Sequence, residues 1–280
     1  MIPAAFEYTR PATIDEAIAA VGGGAKIIAG GQSILPLLKL RLAAADKLVD
    51  IGRIQGLKGY RTMPDGGVEI GALTTYAEWQ AATTMPSVAE AIDLIADVQV
   101  RNRGTVGGSI AHADPASDLP AIALAFDGSA VLRGPAGERV VPLDGFFQSA
   151  FTIGMAPDEI LVAIRRPAVP DGAQFAYRKL ANPASGYSIV GVAAVIGRGG
   201  DGRINHARVA LTGVHEHPYR ASEVEAALVG SDGSSEAVAA AAQHATVDVE
   251  VNSDIHADAA YRAAMAVIYT KRAIEGALGR

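Results

Sequence analysis

Apolar positions switch repeatedly between the helical period and the strand period along this chain, and capping or turn signals mark most of the switches. Thr13-Ile14-Asp15-Glu16 has the form of a capping box and predicts a helix running to about Val21. A strand, Lys26 to Ala29, an amphipathic stretch, Ile34 to Leu42, and a second strand, Lys47 to Ile51, then make a small β-α-β unit. Two further capping boxes, Thr75-Tyr76-Ala77-Glu78 and Ser87-Val88-Ala89-Glu90, predict helices on either side of Pro86. Asp118 to Phe126 reads as a short apolar helix. Ala130 to Arg133, Val140 to Pro142 and Glu159 to Arg165 read as strands joined by Gly/Pro turns, giving an α+β middle unit.

Pro167-Ala168-Val169-Pro170-Asp171-Gly172 carries two prolines and a glycine and is the best linker candidate. Beyond it, Phe175 to Leu180, Ile189 to Arg198 and Arg203 to Thr212 are predicted strands, with a hairpin turn at Gly199-Gly200-Asp201-Gly202. Helices then dominate, over Ser222 to Val229, Glu236 to Thr246 and Asp258 to Leu278, and their Ala-rich stripe reads as core.

Two glycine loops stand out. Ala29-Gly30-Gly31-Gln32-Ser33 follows a strand and opens onto a helix, and Thr105-Val106-Gly107-Gly108-Ser109 follows the basic positions Arg101 and Arg103. Backbone N–H donors approach a phosphate most closely where no Cβ intervenes, so a pair of such loops suits a diphosphate. Ser33 and Ser109 add hydroxyl donors and could cap following helices, while the two arginines offer cationic donors. The chain has 31 glycines, and Gly22-Gly23, Gly66-Gly67 and Gly199-Gly200 read as ordinary turns. No G-x-G-x-x-G is expected after a strand and no G-x-x-x-x-G-K-[ST] is present, so neither a Rossmann site nor a P-loop is indicated.

At 280 residues the chain can build two or three compact units. Half its residues are hydrophobic, but the longest apolar runs, such as Ile189 to Ile196, are far too short to span a bilayer. The N-terminus lacks the basic start and apolar stretch of a secretory signal, and a cytoplasmic protein is expected. With no cysteine the chain holds neither a disulfide nor a thiolate-ligated iron–sulfur cluster. A net charge of −6 without a basic block argues against a nucleic-acid partner. Among six histidines only His215-Glu216-His217 is clustered, and it reads as a loop lacking a third ligand nearby. His112, just beyond the second glycine loop, is either a pocket residue or a polar loop position.

Taken together, A-G-G-Q-S-I-L-P-L-L-K-L-R-L at Ala29 to Leu42, L-V-D-I at Leu48 to Ile51, and Q-V-R-N-R-G-T-V-G-G-S-I-A-H-A-D-P-A-S-D at Gln99 to Asp118 resemble one family. It is the FAD-binding medium subunits of molybdenum hydroxylases, the family of the aerobic carbon monoxide dehydrogenase medium chain and the xanthine dehydrogenase FAD subunit. The likeness extends to Phe6-Glu7-Tyr8, Asp158 to Leu161 and Tyr261 to Met265.

The resemblance implies an α+β fold of the vanillyl-alcohol-oxidase type. An FAD-binding domain over residues 1–172, with lobes at about 1–56 and 57–172, would precede a C-terminal domain, 173–280, with a three-stranded antiparallel sheet and a helical bundle. It implies that Ala29, Gly30, Gly31, Gln32 and Ser33, with Thr105, Gly107, Gly108 and Ser109, bind the FAD pyrophosphate. Asp118 would bond the ribityl or adjoining hydroxyls, Leu161 would pack on the flavin ring, Lys179 would sit near its polar edge and Tyr187 would shield a face. Read from the residues alone, Asp118 is equally a helix N-cap, Lys179 a solvent-facing position of an edge strand, and Tyr187 a core aromatic. Gln32 and Ser109 depart from the residue types common in the family but keep hydrogen-bonding ability.

For function the resemblance implies electron transfer. A molybdenum-cofactor large subunit would oxidise the substrate, a small subunit with two [2Fe–2S] clusters would relay electrons, and FAD in this chain would pass them to an external acceptor. A dimer of heterotrimers is the implied assembly. No residue of this chain then acts as general acid, nucleophile or metal ligand on the primary substrate. A stand-alone flavin reductase on the same fold and a flavin-less assembly scaffold are the alternatives.

Overall fold

The structure, a computed structural model, describes residues 2–22 and 24–280, so Met1 and Gly23 of the Gly22-Gly23 turn lie outside the described residues. The first lobe is built from β1 (Glu7–Thr9), α1 (Ile14–Val21), β2 (Lys26–Ile28), α2 (Ile34–Lys39) and β3 (Lys47–Asp50). Its strands form a parallel sheet in the order β1-β3-β2, with the predicted β-α-β unit as β2-α2-β3. Thr13 and Glu16 close the capping box that starts α1, each bonding the other's backbone N–H. Ala17, Ile18 and Val21 on its inner face pack with Val49 of β3 and with Ile51 just beyond it.

The second lobe contains β4 (Tyr60–Thr62), β5 (Val68–Gly71), α3 (Tyr76–Ala82), α4 (Pro86–Asp93), α5 (Val98–Arg101), α6 (Val106–His112), α7 (Asp118–Ala125), β6 (Ser129–Gly134), β7 (Gly137–Pro142), β8 (Phe147–Ser149), β9 (Thr152–Ile153) and β10 (Ile160–Arg166). Five strands form an antiparallel sheet in the order β4-β5-β10-β6-β7. The Thr75–Glu78 capping box starts α3 as expected. The Ser87 box does not form, because α4 begins two residues earlier than that box implies, at Pro86 with Met85 as its N-cap. Proline is at home in a first turn, where its missing N–H is not needed, and it takes the start that serine was expected to mark.

After Pro167–Gly172, which adopts neither helix nor strand, come β11 (Gln174–Ala181), β12 (Ser188–Arg198), β13 (Ile204–Thr212), β14 (Tyr219–Arg220), α8 (Ser222–Leu228), α9 (Ser235–Ala242) and α10 (Ala259–Ala277). The antiparallel sheet has the order β11-β12-β13-β14, so a two-residue fourth strand joins the three expected. Contrary to the expectation, one G-x-G-x-x-G does follow a strand, Gly197 to Gly202, but it lies at the β12–β13 hairpin and joins two strands rather than a strand and a helix, with Gly199 N–H donating to Arg203 O at 2.8 Å. Among the described residues no helix is long and apolar enough to cross a membrane.

Both faces of this third sheet are buried, which explains its near-continuous apolar strands. Alternate residues go to opposite sides. Val190, Val192, Ala194 and Ile196 of β12 meet the helices α8 to α10, whereas Ala193 and Val195 join the core of the second lobe. On β11, Phe175 and Tyr177 belong to that second-lobe face, and the period of two puts Lys179 on it as well. A charged residue is thereby carried into the junction between the sheet and α7.

Candidate functional site

The first glycine loop leaves the C-terminal end of β2, the end of a parallel sheet where ligands of α/β units usually sit. Gly31 takes φ +76°, a left-handed conformation that side-chain-bearing residues rarely adopt. Its carbonyl accepts from Leu35 N–H at 3.2 Å and so closes the turn into α2. The N–H groups of Gly30, Gly31, Gln32 and Ser33 have no acceptor among the described residues. Ser33 stands at the N-cap position of α2 but has helical φ and ψ and makes no capping bond, contrary to the expected cap, so its hydroxyl remains free for another partner. Gln32 folds its side-chain amide back to Gly30 O at 3.3 Å.

The second glycine loop is the first turn of a helix. Thr105 caps α6, its hydroxyl accepting from Gly108 N–H at 3.1 Å, while Gly107 and Gly108 lie inside the helix. Ser109 is therefore not a cap. It is buried, and its hydroxyl pairs with that of Ser117 at 2.8 Å. From Val106 onward the backbone donors of this segment are already used: Val106 N–H reaches Thr74 O, Gly107 N–H reaches Ala72 O and Ser109 N–H reaches Thr105 O, at 2.9, 2.9 and 3.0 Å. Its glycines serve closeness of packing, because a Cβ on Gly107 would lie 2.8 Å from both Cα and O of Ala72. The two loops touch: a Cβ on Gly30 would run into the carbonyl oxygen of Arg103 and come within 3.1 Å of Gly104 Cα. Of the two expected cationic donors, Arg101 is held by the carbonyls of Ile95 and Ala96 at 3.0 and 2.9 Å, whereas Arg103 is exposed beside the first loop.

Along the same helix, the Ser109–Ser117 pair leads to a buried ionic knot. Asp118 Oδ1 accepts from Tyr177 Oη at 2.5 Å and Ser188 Oγ at 2.7 Å, and Oδ2 accepts from Lys179 Nζ at 2.9 Å. Lys179 also donates to Leu94 O at 3.0 Å. The side chains of Lys179 and Asp118 are only 3% and 5% exposed, so Lys179 is not the solvent-facing position that β11 alone suggested. Asp118 is not an N-cap either, since Ser117 holds that position and Asp118 is the first helical residue of α7. Burial and the negative charge of Asp118 push the Tyr177 hydroxyl far above its ordinary range, and burial pushes Tyr76 up to about 12.

Leu161 on β10 is buried in the second-lobe core, and its neighbour Val162 accepts from Ala72 N–H at 2.9 Å. Ala72 in turn accepts from Gly107, so Leu161 is tied to the second glycine segment through two backbone bonds. Tyr187 is not a core aromatic. It is 43% exposed at the end of the loop between β11 and β12, beside a cleft of about 350 Å3 that Asp114, Asn182, Ser188 and Arg262 also line. Sequence reasoning missed Tyr177, Ser188, Ser117 and Tyr76. The two-residue spacing of Tyr177 and Lys179 on one predicted strand was the available signal, since it puts both on one face.

His112, at the C-terminal end of α6, is half-buried against Phe151 at 5.1 Å between ring centroids. Burial lowers its pKa and Asp114 opposes this in part. A depressed histidine pKa means that the unfolded chain binds the proton more readily, so the stability it contributes is present above the unfolded value of 6.5 and is lost as pH falls through the folded value. Unfolding midpoints recorded from pH 7.5 to 5.0 should fall toward acid, and His112→Gln should flatten that fall. An equal slope in the variant would assign the acid sensitivity elsewhere.

A family model described as the FAD binding domain in molybdopterin dehydrogenase matches residues 4–169, and one described as the CO dehydrogenase flavoprotein C-terminal domain matches residues 175–277. The carbon monoxide dehydrogenase medium chain of Hydrogenophaga pseudoflava is 41% identical, with 100% of this chain and 99% of that one covered. The chain belongs to this flavoprotein family. Subunit alpha of the 6-hydroxypseudooxynicotine dehydrogenase complex of Paenarthrobacter nicotinovorans is 36% identical over 100% of this chain and 97% of its own. Among solved structures, a carbon monoxide dehydrogenase from Hydrogenophaga pseudoflava superposes with a TM-score of 0.95 at 43% identity, covering 100% and 99% of the two chains. Quinoline 2-oxidoreductase from Pseudomonas putida 86 gives 0.91 at 32%, covering 99% and 98%.

The protein is thus an FAD-binding medium subunit of the molybdenum-hydroxylase type, a flavoprotein component of an oxidoreductase with the α+β fold that its sequence implied. Its own residues fit that cofactor. Four unpaired N–H groups and a free serine hydroxyl on a half-buried loop form a donor set for an anionic diphosphate, and the exposed Arg103 adjoins it. No observation favours a stand-alone reductase or a flavin-less scaffold.

Proposed function

We propose that this chain collects electrons from the [2Fe–2S] clusters of a partner subunit and passes them to an external acceptor. Its complex would pair it with a molybdenum-cofactor large subunit and an iron–sulfur small subunit, as a cytoplasmic dimer of heterotrimers. FAD, when bound, supplies a store for two electrons that can be filled one at a time. The observation that carries the reading is the set of unsatisfied N–H donors at Gly30 to Ser33.

In this reading Ala29, Gly30, Gly31, Gln32 and Ser33 supply the hydrogen bonds to the pyrophosphate. Thr105, Gly107, Gly108 and Ser109 supply a wall rather than donors, since their N–H groups from Gly107 onward already have acceptors. Asp118 holds Lys179 in place and in doing so compensates its charge, so the pair presents a fixed dipole to the cofactor rather than a bare cation. Leu161 contributes apolar packing and Tyr187 covers the open side. We take the FAD-binding domain as residues 1–172, with lobes at about 1–56 and 57–172, and the C-terminal domain as 173–280. The three larger sheets, one in each of these parts, and the irregular Pro167–Gly172 stretch support that division. Substrate choice lies with the large subunit, and carbon monoxide and N-heterocycles are candidates on the names of the relatives.

The test is the visible spectrum of the protein purified alone and after co-expression with both partner subunits, with released flavin identified by chromatography. Stoichiometric FAD that substrate reduces only when the partners are present is the expected result. A flavin-free assembled complex, or reduction by substrate without partners, would overturn the proposal.

A further inference from the structure

We propose that His215, Glu216 and His217 form a binding site for a divalent transition-metal ion, with Zn2+ as its representative. The three residues lie in the connection between β13 and β14. There the chain turns at Gly213, with φ +81°, and runs through successive bends rather than as an extended strand. An extended strand would send Glu216 to the face opposite the two histidines. The bends bring it round: one ring nitrogen of each histidine and a Glu216 carboxylate oxygen all lie within 4.8 Å of one another. The sequence marked this triad but read it as a loop, and the fold is what brings the three ligand atoms together.

A second feature is independent of that spacing. His215 Nδ1 lies 2.7 Å from Glu250 O, and His217 Nδ1 lies 2.9 Å from Pro218 O. A carbonyl oxygen can only accept, so each Nδ1 carries the proton and, in the neutral ring, each Nε2 keeps its lone pair. Histidines that bind metals have this arrangement, with the outer nitrogen bonded to a carbonyl that fixes the tautomer and the ring plane. The rings stand edge to face at 4.6 Å between centroids. Glu216 is exposed, which leaves room for water at the remaining positions. Two imidazoles and one carboxylate suit Zn2+, Ni2+ or Cu2+, while Mg2+ and Ca2+ prefer all-oxygen shells.

The site would act as a brace. The segment just before it holds the turn that leads into α7, because Gly213 N–H donates to Pro115 O at 2.7 Å and Thr212 Oγ1 reaches Pro115 O and Ser117 O at 2.7 and 2.8 Å. Asn252 N–H donates to Val214 O at 2.8 Å from the other side. An ion on these three side chains would pin the connection between them. None of this depends on flavin binding.

The experiment is calorimetric titration of the full-length chain, stripped with chelator and dialysed, with ZnCl2 and in parallel with MgCl2. One Zn2+ per chain is expected, with no saturable Mg2+ binding. His215→Gln and His217→Gln should each weaken Zn2+ affinity by about tenfold or more, the range that loss of even an outer-shell partner produces. His244→Gln and His256→Gln, which alter histidines elsewhere on the surface, should leave it unchanged. Should either cluster variant fold poorly, the wild-type chain titrated with Co2+ should show d–d absorption of a nitrogen- and oxygen-ligated ion. No saturable Zn2+ binding, or full affinity in the folded His215→Gln/His217→Gln double variant, would overturn the proposal.

Discussion

A Gly30→Ala variant is expected to lose its FAD almost completely. The new methyl group would run into the Arg103 carbonyl oxygen, far inside van der Waals contact, and would stand 3.1 Å from Gly104 Cα. These are backbone atoms held by their own bonds, Gly104 N–H to Val100 O at 2.6 Å and Tyr76 N–H to Gly104 O at 3.1 Å, so they cannot swing aside as a side chain would. The first loop must move instead, taking its four unpaired donors with it. Forcing a methyl into so close a contact costs about 1–3 kcal/mol or more, and displaced donors no longer converge on one diphosphate. Flavin absorbance per protein should fall to near zero while circular dichroism stays close to wild type. Gly22→Ala is the control, because a Cβ there meets nothing within 4 Å. Full flavin content in Gly30→Ala would show that the two loops do not meet as described.

The second large effect is expected at Asp118, measured on flavin-free protein so that ligand binding does not enter. Asp118→Ala strands a buried ammonium and removes the acceptor for two buried hydroxyls at once. Breaking a buried ion pair from one side costs about 3–5 kcal/mol, so the denaturation midpoint should drop by on the order of 10 °C. Lys179→Met should cost less, because its partner carboxylate keeps Tyr177 and Ser188 as donors. The Asp118→Ala/Lys179→Met double variant should recover part of the loss, with a coupling of about 1–3 kcal/mol. Losses that simply add would mean that the two charges do not form the pair seen here.

Much of the scaffold was readable along the chain. The capping boxes at Thr13 and Thr75 and the hairpin at Gly199 to Gly202 are local devices, satisfied by residues within a few positions of one another, so their sequence patterns carry most of the information. Where a local signal failed, a neighbour competed with it. Pro86 displaced Ser87 as a helix start, and Thr105 rather than Ser109 capped α6, because serine caps only when no better-placed residue precedes it. The strands β4 and β5 went unread, since the first is three mostly exposed residues and the second is buried on both faces. Neither shows the alternation that marks a half-buried strand.

By itself, the sequence determined the order of elements, the glycine positions where chains approach closely, the absence of any thiolate chemistry, and the family to which the motifs belong. Only the tertiary structure decided which donors are free and which charges are paired. The N–H groups of the two glycine segments look alike in the sequence, yet one set is bonded to Ala72, Thr74 and Thr105 and the other to nothing among the described residues. Asp118 and Lys179 are 61 positions apart, and their pairing depends on how the third sheet lies against α7. Hydrogen bonding and burial between distant segments follow from packing, and packing is a property of the whole chain that no local window encodes.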